Sequence, residues 1–114
     1  MVEGHYTPDT GDVVWLTLDP TVGHEQQGRR PALILTPRAY NARTSLAVCC
    51  PVTNQAKGYP FEVAIKGQNV TGVVLVDQVK RLDWVTRRAD LKGTVDQGTL
   101  SDVRALLKTL LQTP

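Results

Sequence analysis

A polar loop is predicted to run into a buried strand at the stretch Gly23-His24-Glu25-Gln26-Gln27-Gly28-Arg29-Arg30-Pro31-Ala32-Leu33-Ile34-Leu35. Glycine adopts turn conformations that other residues resist, and a residue that precedes proline is held in an extended or turn conformation. Arg30 is therefore expected at the mouth of a buried strand, where the loop ends. A guanidinium in that place offers a planar fork that suits phosphate. A hairpin loop with solvated charges fits the loop composition equally well.

The length of 114 residues predicts a single domain, residues 1–114, that can bury a core without disulfides. Cys49 and Cys50 are adjacent within an apolar run. Neighbouring strand residues point to opposite faces, so the pair is expected to supply one core and one surface residue rather than a disulfide, a metal site or a redox site. No basic-then-apolar leader opens the chain, and no apolar run approaches the ~18 residues of a membrane span. A reducing cytoplasm is the expected location.

The charges of the chain are unevenly distributed, although the net charge is only +2. Residues 1–28 carry five acids and neither Lys nor Arg, whereas residues 29–66 carry six basic residues against Glu62 alone. Such an asymmetry predicts a positive region on the folded domain. A polyanion and an acidic peptide would suit that region equally well.

Short strands separated by turn signals account for most of the sequence. The predicted strands cover residues 12–18, 32–35, 46–52, 61–65 and 72–76, with a short last strand at 93–95. Residues 66–69 are predicted to turn, the third strand is expected to stop near Pro51, and residues 80–88 fit neither pattern clearly. This arrangement is typical of a small β-barrel or a strongly bent sheet.

Two helices are predicted beside these strands. Residues 37–44 form a short one, with Thr36 as N-cap and Pro37 at the first helical position. From Thr99 to the end of the chain, apolar residues recur at helical spacing, and Thr99 and Asp102 are placed as a possible cap. The apolar stripe consists of Leu100, Val103, Leu106, Leu107, Leu110 and Leu111. The fold class is therefore mainly β, with a C-terminal helix packed on the sheet.

Metal and cofactor chemistry finds little support in the sequence. The acids are scattered singly, the two histidines lie nineteen positions apart, and no Cys/His spacing fits zinc. A Gly-x-Ser-x-Gly elbow and a phosphate-cradling glycine motif are both absent. An enzyme of this sequence is thus expected to work without metal or cofactor.

The remaining polar residues suit work on a phosphodiester. RNA can be cut without metal when its own 2′-hydroxyl attacks the neighbouring phosphorus, provided that the protein aligns the bond, moves protons and stabilises charge on the phosphoryl oxygens. Arg30 and Thr53 could supply the charge stabilisation. Free arginine is a poor general base because its pKa lies above ~12. The base therefore stays open among Glu25, His24 and the substrate or water.

The chain resembles the MazF/PemK family of toxin endoribonucleases, the mRNA interferases of toxin–antitoxin pairs. The matching segments are Gly11-Asp12-Val13-Val14-Trp15, Asp19-Pro20-Thr21-Val22-Gly23-His24-Glu25-Gln26-Gln27-Gly28, Arg30-Pro31-Ala32, Lys57-Gly58-Tyr59-Pro60-Phe61-Glu62-Val63 and Asp77-Gln78-Val79-Lys80. They lie in one register that covers nearly the whole chain.

The resemblance implies a small SH3-like barrel of the PemK/CcdB type, with a short inserted helix and a C-terminal helix. It implies a homodimer whose interface groove holds single-stranded RNA, and no membrane. Metal-independent, sequence-specific cleavage would leave a 2′,3′-cyclic phosphate and a 5′-hydroxyl. A cognate antitoxin would inhibit it by laying an acidic, extended tail over the groove.

Two branches of the family imply different catalytic residues. The MazF-like branch implies Arg30 and Thr53, with the loop carboxylate of Glu25. The PemK-like branch implies His24, an arginine two positions before Asp77, and Asp77 itself. Leu75 occupies that arginine's position and cannot replace it, which leaves Arg81 and Arg87 as open substitutes.

The favoured assignment takes Arg30, Thr53 and Glu25 as catalytic, with His24 and Asp77 as possible catalytic or RNA-contacting groups. Arg29 is expected to be peripheral. The residues expected to bind RNA are Gln26, Lys57, Tyr59, Gln78, Lys80 and Arg87.

Two other functions compete with RNA cleavage. A gyrase poison of the same fold would act by binding a protein, but those toxins depend on an aromatic-glycine-apolar C-terminus. This chain ends Leu110-Leu111-Gln112-Thr113-Pro114. The second competitor is a non-catalytic barrel that binds RNA or peptide.

Overall fold

A computed structural model of the chain describes residues 6–17 and 28–112. In chain order, the elements are strands β1 (Asp12–Thr17) and β2 (Arg29–Ile34), helix α1 (Arg38–Thr44), strands β3 (Leu46–Thr53), β4 (Glu62–Ala64), β5 (Gly67–Gln68), β6 (Val73–Leu75), β7 (Lys80–Asp83) and β8 (Asp90–Val95), and helix α2 (Gln97–Leu111). A short 3₁₀ turn, Val76–Gln78, follows β6. The predicted mainly β fold with two helices is confirmed.

The strands form one antiparallel sheet that curls around β3. Its order is β4-β6-β3-β2-β1-β8-β5, and β7 also pairs with β3. The first half of β3 pairs with β7, with Leu46 opposite Asp83, while its end pairs with β6, with Thr53 opposite Val73. Strand β3 thus pairs with β7 along its first half and with β6 at its end. This exchange of partners bends the sheet into a half-barrel.

Apolar side chains cover both faces of the central strands β1, β2 and β3. The helix-side core contains Val13, Leu33, Cys50, Val52, Val74, Val76, Leu100 and Val103, among others. The second core contains Val14, Leu16, Ala32, Ile34, Ala47 and Cys49. Strands buried on both faces read as continuous apolar runs, because neither face has to be polar.

Both cysteines are buried free thiols, one in each core. The expectation that one of them lies at the surface is wrong, because β3 is covered on both of its faces. Burial raises the pKa of the Cys49 thiol to about 11 and that of Cys50 to about 12. Both side chains are therefore protonated, unreactive core groups near neutral pH.

Helix α2 closes the helix-side core. Leu100 and Val103 are buried, and Leu106, Leu107 and Leu110 pack partly against the core. The predicted stripe is confirmed for these residues. Leu111, in contrast, is 75% exposed.

The N-terminus of α2 differs from the predicted cap. Asp96 is the N-cap, and its carboxylate accepts a hydrogen bond of 2.8 Å from the Thr99 backbone N–H. That bond lowers the pKa of the Asp96 carboxyl. Thr99 lies inside the first turn, where its buried hydroxyl bonds the backbone of Lys66. The helix thus begins two residues before Thr99.

Helix α1 is also capped differently from the prediction. Pro37 is its N-cap and makes no side-chain cap hydrogen bond. The Asp9 carboxylate accepts a hydrogen bond of 2.9 Å from the Arg38 backbone N–H, which lowers the pKa of that carboxyl. The Thr36 hydroxyl donates to the buried side chain of Asn41 at 2.7 Å. A carboxylate from another segment therefore takes the place of the predicted threonine cap.

Several predicted strand boundaries change. The predicted turn at residues 66–69 contains β5, which pairs with β8. Strand β3 continues past Pro51 to Thr53, and β8 begins at Asp90 rather than at residue 93. The ambiguous segment 80–88 opens with β7. Long-range pairing decides each of these cases, and local composition does not report it.

Candidate active site

The sheet opens at a fork between β2 and β3. The two strands pair at Ile34–Cys49, Leu33–Cys50 and Ala32–Pro51, and their pairing stops there. Beyond this point β2 remains paired with β1, with Arg30 opposite Leu16. Strand β3 instead turns to β6.

Pro31 explains why the ladder ends at this position. The Leu35 N–H donates to the Val48 carbonyl on β3, and N–H groups in a strand alternate sides, so the backbone nitrogen of residue 31 also faces β3. The next bond of the ladder would run from that nitrogen to the carbonyl of Val52. Proline has no N–H to donate. The dipeptide Arg30-Pro31 therefore places an arginine directly at an opening in the sheet.

The fork holds a cavity of about 250 Å³, here called the fork cavity. Its lining residues are Trp15, Arg30, Pro31, Val52, Thr53, Asn54, Thr71 and Lys92. Arg30 and Thr53, predicted from separate parts of the sequence, thus line the same cavity. Among residues 6–17 and 28–112, two cations and several hydroxyl or amide groups line it, and no carboxylate does.

Gly72 holds the end of β3 in place. Its φ of +114° lies in the left-handed region that favours glycine. A Cβ at this position would lie 2.4 Å from the Thr53 carbonyl oxygen and 2.9 Å from Asn54 Oδ1. Beside it, the Thr71 hydroxyl donates to Asn54 Oδ1 at 3.2 Å. Close backbone approach at Gly72 therefore fixes where Thr53 points into the cavity.

The two adjacent arginines have different surroundings. Arg29 is held by the Thr17 hydroxyl at 2.9 Å, by the Arg88 carbonyl at 2.8 Å and by the Asp90 carboxylate at 3.0 Å. Its side chain is only 15% exposed. Arg30 is exposed, and its guanidinium donates to the Arg29 carbonyl at 3.0 Å. Arg29 ties β1, β2 and β8 together, whereas Arg30 lines the fork cavity.

Lys92 brings a second cation to the fork cavity from β8. Its ammonium lies 5.1 Å from the centre of the Trp15 ring and donates to the Asn69 carbonyl at 3.3 Å. The sequence alone does not predict Lys92, Trp15, Asn54 or Thr71 as site residues. The first two lie on neighbouring strands β1 and β8, and only the sheet pairing brings them together.

A second cavity of about 240 Å³ lies on the other side of Thr53 and is here called the loop cavity. Its lining residues are Thr53, Gln55, Lys57, Tyr59, Phe61, Glu62, Leu75, Asp77 and Gln78. Tyr59 is 59% exposed. Of the lining residues that the structure describes, Thr53 is the one common to both cavities.

The Glu62 carboxylate shapes the loop that walls this cavity. It accepts hydrogen bonds from the backbone N–H groups of Lys57, at 3.0 and 3.2 Å, and of Gly58, at 3.0 Å. Gly58 has a φ of +76°. One carboxylate on β4 thus fixes the backbone that presents Lys57 and Tyr59.

The structure brings some of the predicted RNA-binding residues together and separates others. Lys57, Tyr59, Gln78 and Asp77 all line the loop cavity. Lys80 lines a small adjoining cleft with Pro31, Ala32, Cys49, Pro51 and Leu82. Arg87 lines neither main cavity, and its guanidinium donates to the Thr17 carbonyl at 3.0 Å. His24, Glu25 and Gln26 lie outside the described residues.

The PemK-like arrangement lacks its arginine in the described part of the chain. Leu75 lines the loop cavity beside Asp77, so the position does face the site. Neither Arg81 nor Arg87 lines that cavity. Of the MazF-like residues, Arg30 and Thr53 both line the fork cavity, and Glu25 lies outside the described residues.

Within residues 6–17 and 28–112, no three His, Cys, Asp or Glu side chains are grouped as a metal site would require. No helix among those residues has the length and apolar character needed to cross a bilayer.

Comparison with known sequences gives a consistent result. Residues 9–111 match the family described as the PemK-like, MazF-like toxin of type II toxin–antitoxin systems. The chain is 48% identical over 106 residues to the endoribonuclease toxin MazF of Escherichia coli K12, which covers 93% of this chain and 96% of that protein. It is 40% identical over 108 residues to the endoribonuclease PemK of Escherichia coli, with coverage of 90% and 81%.

Solved structures with the same fold include complexes of a toxin with its antitoxin. A MazE–MazF crystal structure from Deinococcus radiodurans superposes with a TM-score of 0.83 at 46% identity, covering 94% of this chain and 97% of that one. An endoribonuclease in complex with its cognate antitoxin, from a mycobacterial species, gives a TM-score of 0.73 at 26% identity, with coverage of 94% and 99%. The predicted barrel class is confirmed by these likenesses.

Proposed function

The chain belongs to the PemK-like, MazF-like family of type II toxins, and we propose that it is an endoribonuclease that cleaves single-stranded RNA and is inhibited by a cognate antitoxin. The observation that carries this function is the fork cavity, where Arg30 and Thr53 converge from different strands. The names of its relatives, endoribonucleases MazF and PemK, support the same activity.

The reaction that fits the fork cavity is an internal phosphoryl transfer. The 2′-oxygen of a ribose attacks the adjacent phosphorus and gives up its proton to a base, while the bond to the 5′-oxygen breaks and that oxygen takes up a proton. The products are a 2′,3′-cyclic phosphate and a 5′-hydroxyl. No metal or water is consumed in this step.

Arg30 and Thr53 stabilise the charge that builds up on the phosphoryl oxygens. A guanidinium can bind two of these oxygens at once, and the Thr53 hydroxyl can donate to another. Lys92 adds positive charge to the same cavity. Donors that are already in place when the charge develops contribute most to the rate.

Glu25 and His24 are the proposed proton carriers. In the sequence, both lie within six residues before β2, the strand that carries Arg30. A carboxylate or an imidazole can move protons near neutral pH if its surroundings tune its pKa. Arg30 is assigned no proton transfer, because a guanidinium holds its proton.

The proposed partners follow from the charge of the site and from the relatives. An acidic, extended antitoxin tail would cover the same cationic groups that bind RNA. The solved relatives named as MazE–MazF and as a complex with a cognate antitoxin support such a partner. We also propose a homodimer, in which a second copy completes the RNA groove, and a cytoplasmic location, which suits the two free thiols.

The proposed function is tested with purified, antitoxin-free protein and a long single-stranded RNA in excess EDTA. We expect discrete fragments that end in 2′,3′-cyclic phosphate and begin with 5′-hydroxyl. Intact RNA in the presence of folded protein would contradict the enzyme and would favour a non-catalytic barrel. Loss of supercoiling activity in a gyrase assay, with intact RNA, would instead favour a gyrase poison.

A further inference from the structure

The two cavities beside Thr53 differ in charge although they are nearly equal in volume. Of the residues that the structure describes, Arg30 and Lys92 are the charged groups that line the fork cavity, and both are cations. In the described part of the chain, the loop cavity is lined by the carboxylates Glu62 and Asp77 and by one cation, Lys57. A phosphate would be repelled by two carboxylates and attracted by two cations. The loop cavity is therefore suited to an uncharged part of the RNA.

One face of the loop cavity can stack on a planar ring. Tyr59 is 59% exposed, and stacking of a base on an exposed aromatic side chain is a common mode of single-strand binding. The amides of Gln55 and Gln78, also in the lining, can both donate and accept hydrogen bonds. This combination fits a nucleobase.

Asp77 is the carboxylate that remains available to such a base. The other one, Glu62, already accepts two backbone N–H groups from the loop. Among the residues that the structure describes, no hydrogen bond or ion pair engages the exposed Asp77 side chain.

The backbone around Asp77 is firmly held. It lies in the 3₁₀ turn Val76–Gln78, whose Val76 is fully buried and donates its N–H to the Phe61 carbonyl at 3.1 Å. The turn closes with a bond of 3.3 Å from Val79 N to the Val76 carbonyl. Asp77 is thus placed by the helix-side core rather than by a loose loop.

We propose that the loop cavity binds one nucleobase of the RNA and selects a base with an exocyclic amino group through the Asp77 carboxylate. This inference rests on the proposed function. An ionised carboxylate only accepts hydrogen bonds. The amino groups of cytosine, adenine and guanine can donate to it, whereas uracil presents a carbonyl oxygen in the place of cytosine's amino group. Recognition of the cytosine amino group by Asp or Glu follows the same donor–acceptor logic in nucleic-acid readout.

The test compares oligodeoxycytidine with oligodeoxyuridine of equal length. Both lack the 2′-hydroxyl that cleavage requires, and every position carries the same base, so the register of binding does not matter. Fluorescence anisotropy at constant salt gives the two affinities. We expect the wild-type protein to bind oligodeoxycytidine about tenfold more tightly.

Asp77→Asn is the informative variant, because an amide can donate to the uracil carbonyl. In this variant, we expect the two oligomers to bind with about equal affinity, or oligodeoxyuridine to bind more tightly. The ratio is the readout, since loss of a negative charge raises the affinity for both polyanions. Asp102→Asn makes the same change on the exposed surface of α2 and should keep the wild-type ratio.

Equal binding of the two oligomers by the wild-type protein would overturn the proposal, and so would an unchanged ratio in Asp77→Asn. Cleavage assays on RNA separate this inference from the proposed function. Intact RNA together with a cytosine preference that depends on Asp77 would contradict the enzyme and still support the base site. Loss of cleavage on every sequence in Asp77→Asn, with an unchanged binding ratio, would place Asp77 in proton transfer instead.

Discussion

The fork cavity and the loop cavity share Thr53 and have nearly the same volume, but they differ in charge and in the elements that form them. The fork cavity exists because β2 and β3 separate at a proline, and its charged groups stand on strands. The loop cavity is walled by the segment between β3 and β4, which a carboxylate clamps in place. Charge stabilisation of a common phosphodiester demands the same geometry for every substrate, whereas base selection varies with the sequence to be read. Rigid strands suit the first task and a loop suits the second.

Removing the fork arginine is expected to have the largest effect. Arg30→Ala should lower the rate of RNA cleavage by at least about 10²-fold, the usual result of removing a donor to developing charge. Arg30 is exposed, so the circular dichroism spectrum should not change. Arg104→Ala, which removes an exposed arginine on α2, is the matched control and should cleave at the wild-type rate. Near-normal cleavage by Arg30→Ala would show that the fork cavity does not bind the scissile phosphate.

Gly72→Ala probes the wall that the two cavities share. The new Cβ would meet the Thr53 carbonyl oxygen at 2.4 Å, and φ is +114°, so the free energy of unfolding should fall by about 2 kcal/mol or more. Gly58→Ala is the control, because its φ is +76° but no atom lies within 4 Å of the added Cβ. Thermal melts should show the larger loss for Gly72→Ala. Equal melting temperatures for the two variants would mean that the end of β3 can shift to accommodate the Cβ at position 72.

Lys92→Gln should weaken RNA binding without changing base preference. A lysine that contacts phosphate releases about one counterion, so the slope of log K against log salt should become shallower by roughly 0.7 for single strands. Lys108→Gln, on the exposed side of α2, should leave that slope unchanged. If Lys92→Gln instead changed the base preference and left the salt dependence of binding unchanged, Lys92 would contact a base. The fork cavity would then not be reserved for phosphate.

Glu62→Gln should have the smallest effect of these substitutions, and it should act on the loop cavity rather than on the fork cavity. An amide retains one acceptor oxygen, so the clamp on Lys57 and Gly58 is weakened and not abolished. We expect KM to rise by about fivefold at nearly constant kcat, since a hydrogen bond of this kind contributes about 1 kcal/mol. Hydrogen exchange should become faster in residues 54–61. An unchanged exchange rate there would show that Glu62 does not order the loop.

The sequence predicts the central strands and the C-terminal helix well, because both signals are local. Residues 12–17, 46–52 and the stripe from Leu100 to Leu110 are apolar in patterns that only a strand or a helix satisfies. The strands β5 and β7 are not predicted, since Gly67–Gln68 and Lys80–Asp83 become strands only through partners far along the chain. The caps differ for the same reason, as Asp9 caps α1 from outside it.

The candidate site is predictable in part. Arg30-Pro31 and Thr53 are recognisable in the sequence, and the resemblance to the toxin family selects them. Their meeting in one cavity depends on the fork, which follows from Pro31 only when the direction of its backbone nitrogen is known. Lys92 gives no local signal, because its position over Trp15 is a product of the β1–β8 pairing.

The central claim is that the fork cavity binds the scissile phosphate and the loop cavity binds a base. The most direct test is a structure of the protein with a short single-stranded oligonucleotide that lacks the 2′-hydroxyl at the cut position. We expect the scissile phosphate in the fork cavity, with oxygens about 3 Å from the Arg30 guanidinium and the Thr53 hydroxyl. We also expect a base stacked on Tyr59, with its amino group facing Asp77. A phosphate seated in the loop cavity, or an oligonucleotide that bypasses Arg30, would contradict the central claim.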